Sequence, residues 1–411
     1  MRTELLKKKT KSVCANITCG AVDSLRLKTE TSTTARVYDN GFIGIAGKLG
    51  DVDEEALKKE AVKNLERKIP YPDLPEKPLY KSINVKKDIV SDENFLPYVK
   101  DLFKRVADEN PAFNINGKAY LSELDSSYSS GAGRDLSYSG NSVELAVIFK
   151  DKKSANIMDG SFSAEDDKLI GDDFAADVKT KLDAYLKQVP HVKEDKIPVI
   201  MSGSYFTFII QHFIADVYCN GASLLNGKLK TKVFNDKFSA LIDLTPEERI
   251  GVEFFDTEGV VSDDYKSYIV KNGVMEKLFT TKFTAQKYGV ENLGNASAGY
   301  VDAPNLSGRG FAIERTADGL EDILKGREAI FLDESSGGDM TPDGNMSLPS
   351  QLAFLYRDGK LVGRLPEFAL CGNVFDIYGK DFLGACSLGS LFKTAGRETV
   401  VVAEMNVVNK K

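Results

Sequence analysis

Histidine is almost missing from this chain: its 411 residues hold two, His191 and His212. A metal centre built on several imidazoles therefore has no local source. Neither His-Glu-x-x-His nor Gly-x-Ser-x-Gly occurs in the sequence. Cysteine is sparse and odd in number, five in all, and Cys14 with Cys19 lacks the two-residue spacing of a redox or zinc pair. We expect reduced thiols, three of them packed, and no disulfide framework. Long apolar runs are absent, the stretch around Phe206–Ile210 being far too short to cross a bilayer, and the opening "MRTELLKKKTKSVCANITCG" has no apolar signal region. The expectation is a soluble, cytoplasmic protein without a membrane partner. Positive charge is also in deficit, with 54 Lys and Arg against 61 Asp and Glu, a net charge of -7. A duplex-binding face needs clustered cations. The one basic run, "KKKTK" at residues 7–11, reads as solvated chain, so no direct nucleic-acid ligand is expected.

With 42% hydrophobic and 28% charged residues, the chain can bury two cores. Asn-Gly or Asp-Gly between apolar, β-branched runs signals a hairpin, because both turn residues must accept positive φ. Such pairs stand at Asn40-Gly41, Asn116-Gly117, Asn272-Gly273 and Asp358-Gly359. Their spread over both halves predicts largely antiparallel sheets. Helices are expected from Asp53 ("DEEALKKEAVKNLERK") and from Asp172 ("DDFAADVKTKLDAYLKQV"), the latter with Phe174, Val178, Leu182, Tyr185 and Leu186 on one apolar stripe. The charged segment "PHVKEDKIP", residues 190–198, has a proline at each end and reads as a linker with His191 exposed in it. The fold class is α+β, in two domains with largely antiparallel mixed sheets: an N-terminal α/β domain at 1–190 and a β-rich C-terminal domain at 191–411.

The segment "SGSYFTFIIQHFIADVYCNGASLLNGKL", residues 202–229, carries the main chemical question. Its apolar stretch from Tyr205 to Tyr218 reads as a buried helix, which would set His212, Asp216 and Cys219 on one face at i, i+4 and i+7. A His, a carboxylate and a thiol can in principle bind zinc. No second histidine and no glutamate lie within the segment, so a hydrogen-bonded His and Asp inside a packed helix is the favoured reading. "GASLLNGKL" imitates a phosphate loop but has five residues between Gly221 and Gly227, and Leu229 where a magnesium-binding hydroxyl should be. "SGAGRD" at 130–135 lacks a third glycine, and both are expected to be loops.

The order of segments from 198 to about 390 resembles the TldD/PmbA family, the metallopeptidase-related "modulators of DNA gyrase". The resemblance rests on "FFDTEGV" (254–260), "VKNGVMEKLFTTKFTAQKYG" (270–289), "NASAGYVDAPN" (295–305), "GGDMTPDGNMS" (337–347), the Asp358-Gly359 hairpin and "CGN" (371–373). The last stretch, "KTAGRETVVVAEMNVVNKK", departs from the family's endings. In the catalytic TldD branch a helix in this place carries HExxxH, and a cysteine near the C-terminus completes a zinc site. Carried over, those six positions are Gln211, His212, Phe213, Ile214, Ala215 and Asp216, and the candidate cysteine is Cys386 in "GACSLGS". Both metal histidines are replaced, and His212 stands in the general-base position. The resemblance thus implies a TldE/PmbA-like chain with no cofactor of its own, with zinc in a TldD-like partner. It would act as one subunit of a dimer on unfolded peptides, or else as a homodimer. Two alternatives remain open: a peptidase with a rearranged His212, Asp216 and Cys386 site, and a gyrase- or toxin-directed interaction protein without catalysis. If Cys386 folds back beside a continuous helix, restoring the three replaced positions should recreate a zinc site.

Overall fold

The computed structural model describes residues 1–73 and 77–409. The first half builds one eight-stranded sheet from β1 (Arg2–Thr18), β2 (Ala21–Asp39), β3 (Phe42–Leu49), β4 (Ile69–Pro70), β5 (Leu79–Asn84), β6 (Phe113–Ser130), β7 (Arg134–Asp151) and β8 (Gly160–Asp166). Its order is β4-β3-β2-β1-β6-β7-β5, with β8 also on β7. Every pairing is antiparallel except β5 with β7. Three helices, α1 (Glu54–Asn64), α2 (Asp92–Glu109) and α3 (Asp172–Tyr185), complete this half.

Strand alternation assigns each face of this sheet a different cover. Val13, Ala15, Ala119, Leu121, Val143 and Leu145 point one way, into a core with Phe95, Phe103 and Phe174 of α2 and α3. Leu6, Leu124, Tyr128, Leu136 and Tyr138 point the other way, against Phe254, Phe255 and Tyr265 from the second half. "FFDTEGV" thus lies directly on the back of the first sheet.

The second half contains β9 (Lys196–Ser202), α4 (Thr207–Ile210), α5 (Ala215–Cys219), β10 (Ala240–Asp243), β11 (Lys266–Lys271), β12 (Val274–Met275), α6 (Lys282–Tyr288), β13 (Ala296–Ser297), β14 (Asn305–Leu306) and β15 (Phe311–Ile313). It continues with α7 (Leu320–Leu324), β16 (Ala329–Ser335), β17 (Asp339–Met340), β18 (Asn345–Arg357), β19 (Lys360–Arg364), β20 (Phe368–Asn373), α8 (Val374–Ile377), β21 (Phe382–Ser387) and β22 (Thr399–Asn409). The larger sheet runs β16-β9-β22-β20-β18-β17, and β16 also pairs with β18, so five strands close into a ring. The closure is possible because β18 bends: its residues 345–349 pair with β20 while 350–356 pair with β16. A smaller sheet, β12-β11-β10-β15, stands beside it. The α+β class with largely antiparallel sheets therefore holds. Of the C-terminal stretch, Lys410 and Lys411 lie outside the described residues. No helix of the described residues is long and apolar enough to cross a membrane.

Several local expectations meet their structures. Asp53 caps α1 by accepting from Glu55 and Ala56 N–H. Asn40, Asn272 and Asp358 all adopt positive φ in tight hairpin turns. Asn116-Gly117 does not turn: it lies inside β6, opposite Ile148 and Val147. Glycine is needed there for close approach, since a Cβ would sit 2.3 Å from the Ala146 carbonyl oxygen, and the Asn116 side chain accepts from Cys19 N–H at 3.0 Å. The turn that joins β1 to β2 is Cys19-Gly20, with φ of 49° and 78°. On α3, Phe174, Val178, Leu182 and Tyr185 are buried, but Leu186 is 53% exposed, just beyond the helix end. His191 is partly buried where exposure was expected.

Candidate functional site

The segment from Ser202 onward does not form the expected single helix. One 3-10 turn (Gly203–Phe206), α4 and a second 3-10 turn (Gln211–Phe213) follow one another, and then Ile214 is extended, with φ -67° and ψ 128°. The break has a tertiary cause. Phe279 N–H donates to the Phe213 carbonyl at 2.8 Å, and Ala215 N–H donates to the Phe279 carbonyl at 3.1 Å. This strand-like bridge draws Ile214 out of the helical path before α5 resumes, so His212, Asp216 and Cys219 do not share one continuous helix face.

Each position then has its own occupation. Gln211 is exposed, while Phe213 and Ala215 are buried in the core around Phe206 and Phe238. His212 Nδ1 accepts the Leu224 N–H at 3.3 Å, and its carbonyl accepts from Ser223 Oγ at 2.7 Å. Burial holds its pKa below the ordinary imidazole value, which suits an acceptor nitrogen. The Asp216 carboxylate accepts from Lys287 Nζ at 2.8 Å and from the Tyr288 hydroxyl, and these two bonds hold its pKa low. His212 therefore positions the 221–229 loop, and Asp216 ties α5 to α6. The "GASLLNGKL" segment is loop and turn, as expected, and the middle of "SGAGRD" is the tight turn between β6 and β7, whose strands already hold Ser130, Arg134 and Asp135.

Cys386 lies elsewhere. On β21, Ala385 joins the core around Phe213, whereas Cys386 joins the opposite core with Leu320 and Phe392. Burial raises its thiol to about 11, against the opposing influence of Arg315. His212, Asp216 and Cys386 are not brought together. Among the described residues no group of three or more His, Cys, Asp or Glu side chains is placed to hold a metal ion. The residues present do not fit zinc, and they reverse the expectation for the restored motif. The Gln211→His, His212→Glu, Asp216→His variant should bind no stoichiometric zinc, because its imidazoles flank an extended residue and the thiol faces another core. Elemental analysis after dialysis checks this; near one zinc per chain, lost on adding Cys386→Ser, would reinstate the helical register.

The structure instead gathers three of the motifs around two buried acids, Asp256 and Glu258. Asp256 Oδ1 accepts the N–H groups of Glu258 and Val260, and Oδ2 accepts that of Ala296, each at 2.9 Å. Both Glu258 oxygens lie 3.0 Å from Lys282 N, the first residue of α6, and the Tyr71 hydroxyl donates to the same carboxylate. Lys282 Nζ donates to the Glu258 carbonyl at 2.7 Å, and the Arg36 guanidinium donates to the Thr257 carbonyl. Burial first, and the neighbouring Asp256 charge next, push the Glu258 carboxyl up to about 7. Burial also raises Asp256, against the backbone donors that favour its charge. The available signal was an Asp-x-Glu flanked by apolar residues in "FFDTEGV". Two further motifs meet at Asp343: Asn345 donates to its carboxylate at 2.7 Å, and Asn373 of "CGN" donates to its carbonyl at 3.0 Å.

Residues 194–408 match the family model described as the PmbA/TldA metallopeptidase C-terminal domain, more than half of the chain. The chain belongs to the PmbA/TldD family. Its fold is similar to that of TldE from Thermococcus kodakarensis, with a TM-score of 0.82 at 17% identity over 100% of this chain and 97% of that one. It is also similar to a putative modulator of DNA gyrase from Thermotoga maritima, with a TM-score of 0.71 at 19% identity over 99% and 96% of the two chains. Among curated relatives, a protein named zinc metalloprotease TldD homolog from Saccharolobus solfataricus is 23% identical over 75% of this chain and 73% of its own length. A metalloprotease from Methanothermobacter thermautotrophicus is 28% identical over 39% of this chain. That match spans only 36% of the relative's length.

Proposed function

We propose that this PmbA/TldD-family chain is a TldE-type, zinc-free subunit that pairs in the cytoplasm with a TldD-like zinc peptidase and helps it degrade unfolded peptides. The observation that carries the reading is the state of the motif positions. Gln211, His212 and Asp216 lie either side of a backbone break, Asp216 is committed to Lys287 and Tyr288, and Cys386 faces a separate core. Likeness to the TldE structure supports the same reading at the level of fold. Recognition of an unfolded substrate through its backbone suits such a system, because extended chain offers regular N–H and C=O groups whatever its sequence.

The test mixes the purified chain with a HExxxH-bearing homologue from the same source. Cleavage of a denatured fluorescent casein is expected from the mixture alone, with a mixed dimer on size exclusion. Chelator-sensitive cleavage by this chain alone, lost in His212→Ala, would overturn the proposal in favour of a rearranged active site. Tight gyrase binding with no cleavage in any mixture would overturn it in favour of an interaction protein.

A further inference from the structure

A cavity of about 130 Å³ lies between the back of the first sheet and the loops of the second half. It has room for roughly four waters' volume, or one compact organic group. Lys8, Arg36 and Ser126 reach it from β1, β2 and β6, and Phe255, Thr257 and Arg309 line it from the opposite side. Leu6, Phe255 and Tyr300 make part of its wall apolar. Two motif segments, "FFDTEGV" and "NASAGYVDAPN", thus meet at one concave place on the seam between the halves, where small ligands are commonly bound.

Several polar atoms here have no partner, and the long polar side chains are mainly cationic. Arg36 Nε, Arg309 Nε, Ser126 Oγ and Thr257 Oγ1 are all buried without a hydrogen-bond partner in the protein, although buried polar groups are almost always paired. Arg36 is only 1% exposed, with one terminal nitrogen donating to Thr257 O and lying 3.8 Å from Glu4. Lys8, Arg36 and Arg309 face two lining acids, Glu253 and Asp256, while the lining Lys7 is paired with Glu54. Glu253 is paired with Arg309 and with Lys8 at 3.4 Å, and Asp256 is occupied by its three backbone donors. The balance favours an incoming anion, and guanidinium groups match the planar geometry of a carboxylate.

We infer that this cavity is a binding site for a small organic carboxylate with a compact apolar body. The carboxylate meets the Lys8, Arg309 and hydroxyl side, and the apolar body lies against Leu6, Phe255 and Tyr300. Every lining residue comes from this chain. Calorimetry on the full chain tests it with isovalerate, its neutral amide and inorganic phosphate. Isovalerate is expected to bind stoichiometrically, with the amide and phosphate each at least about tenfold weaker, because a charge-assisted hydrogen bond is lost in one and the apolar contact in the other. Lys8→Gln, at a half-exposed position, should weaken isovalerate by about tenfold. Ser126→Leu, whose native hydroxyl has no partner, should fill the cavity and abolish binding. If that variant unfolds, Lys8→Gln decides. Equal affinity for acid and amide, tighter binding of phosphate, no heat at millimolar isovalerate, or unchanged binding in Lys8→Gln would each overturn the assignment.

Discussion

Asp256→Ala is expected to lower the unfolding free energy by about 4 kcal/mol, since a buried donor left without its acceptor costs roughly 1 to 3 kcal/mol and three lose theirs together. Those donors are the N–H groups of Glu258, Val260 and Ala296. The turn they close cannot relax easily. Gly259 has φ +72°, and a Cβ there would sit 2.3 Å from the Tyr128 ring on the back of the first sheet. Asp256→Asn keeps one acceptor oxygen and should cost less, about 1 to 2 kcal/mol. Urea denaturation separates the two, provided the slope stays that of the parent. A loss below about 1 kcal/mol in the alanine variant would show that the seam between the halves is held by apolar packing and not by this carboxylate.

Stability should fall as pH rises from about 4.5 to about 7, and Glu258 is the reason. Its carboxyl is raised from 4.5 to about 7 by burial and by Asp256, so across that window the folded chain holds a proton that the unfolded chain has released. A group raised in this way stabilises fully below its unfolded pKa and loses that contribution as pH passes its folded pKa. The shift corresponds to about 3 kcal/mol. Carboxylates with lowered pKa, such as Asp243 and Glu253, slope the other way at lower pH. The informative quantity is therefore the difference between the parent and Glu258→Gln in melts from about pH 5 to 8. The variant should lack the Glu258 slope, and identical profiles would mean that the carboxylate is ionised throughout.

What the sequence revealed depended on how local each cause is. Asn40, Asn272 and Asp358 were legible as turn residues because positive φ is a property of the residue itself. Asn116-Gly117 misled because glycine there answers to a neighbouring strand, while the true β1–β2 turn hides behind a cysteine at positive φ. Helix α2 is masked in the sequence by Pro97 inside it, though Ser91 caps it and Phe95, Val99, Leu102, Phe103 and Val106 form its buried stripe. At the candidate site the order of motifs was legible, and so was the scarcity of histidine. The break at Ile214 was not, because it is imposed by Phe279 from a distant loop. Nor was the direction of Cys386, which depends on which residue of β21 faces which core.

The position of β22 has a consequence for how the protein is made. This strand pairs with β9, β20 and β21 at once, joining segments that leave the ribosome early to segments that leave late. Until residues 399–409 have left the ribosome, β9 lacks that neighbour and β20 and β21 lack their shared partner. Open strand edges of this kind invite pairing with other chains, and contacts between residues far apart in sequence form slowly. Closure of the ring in the second half therefore has to wait for β22. A nascent chain stalled just short of Thr399 would carry every motif described above and still be unable to close the ring that holds them.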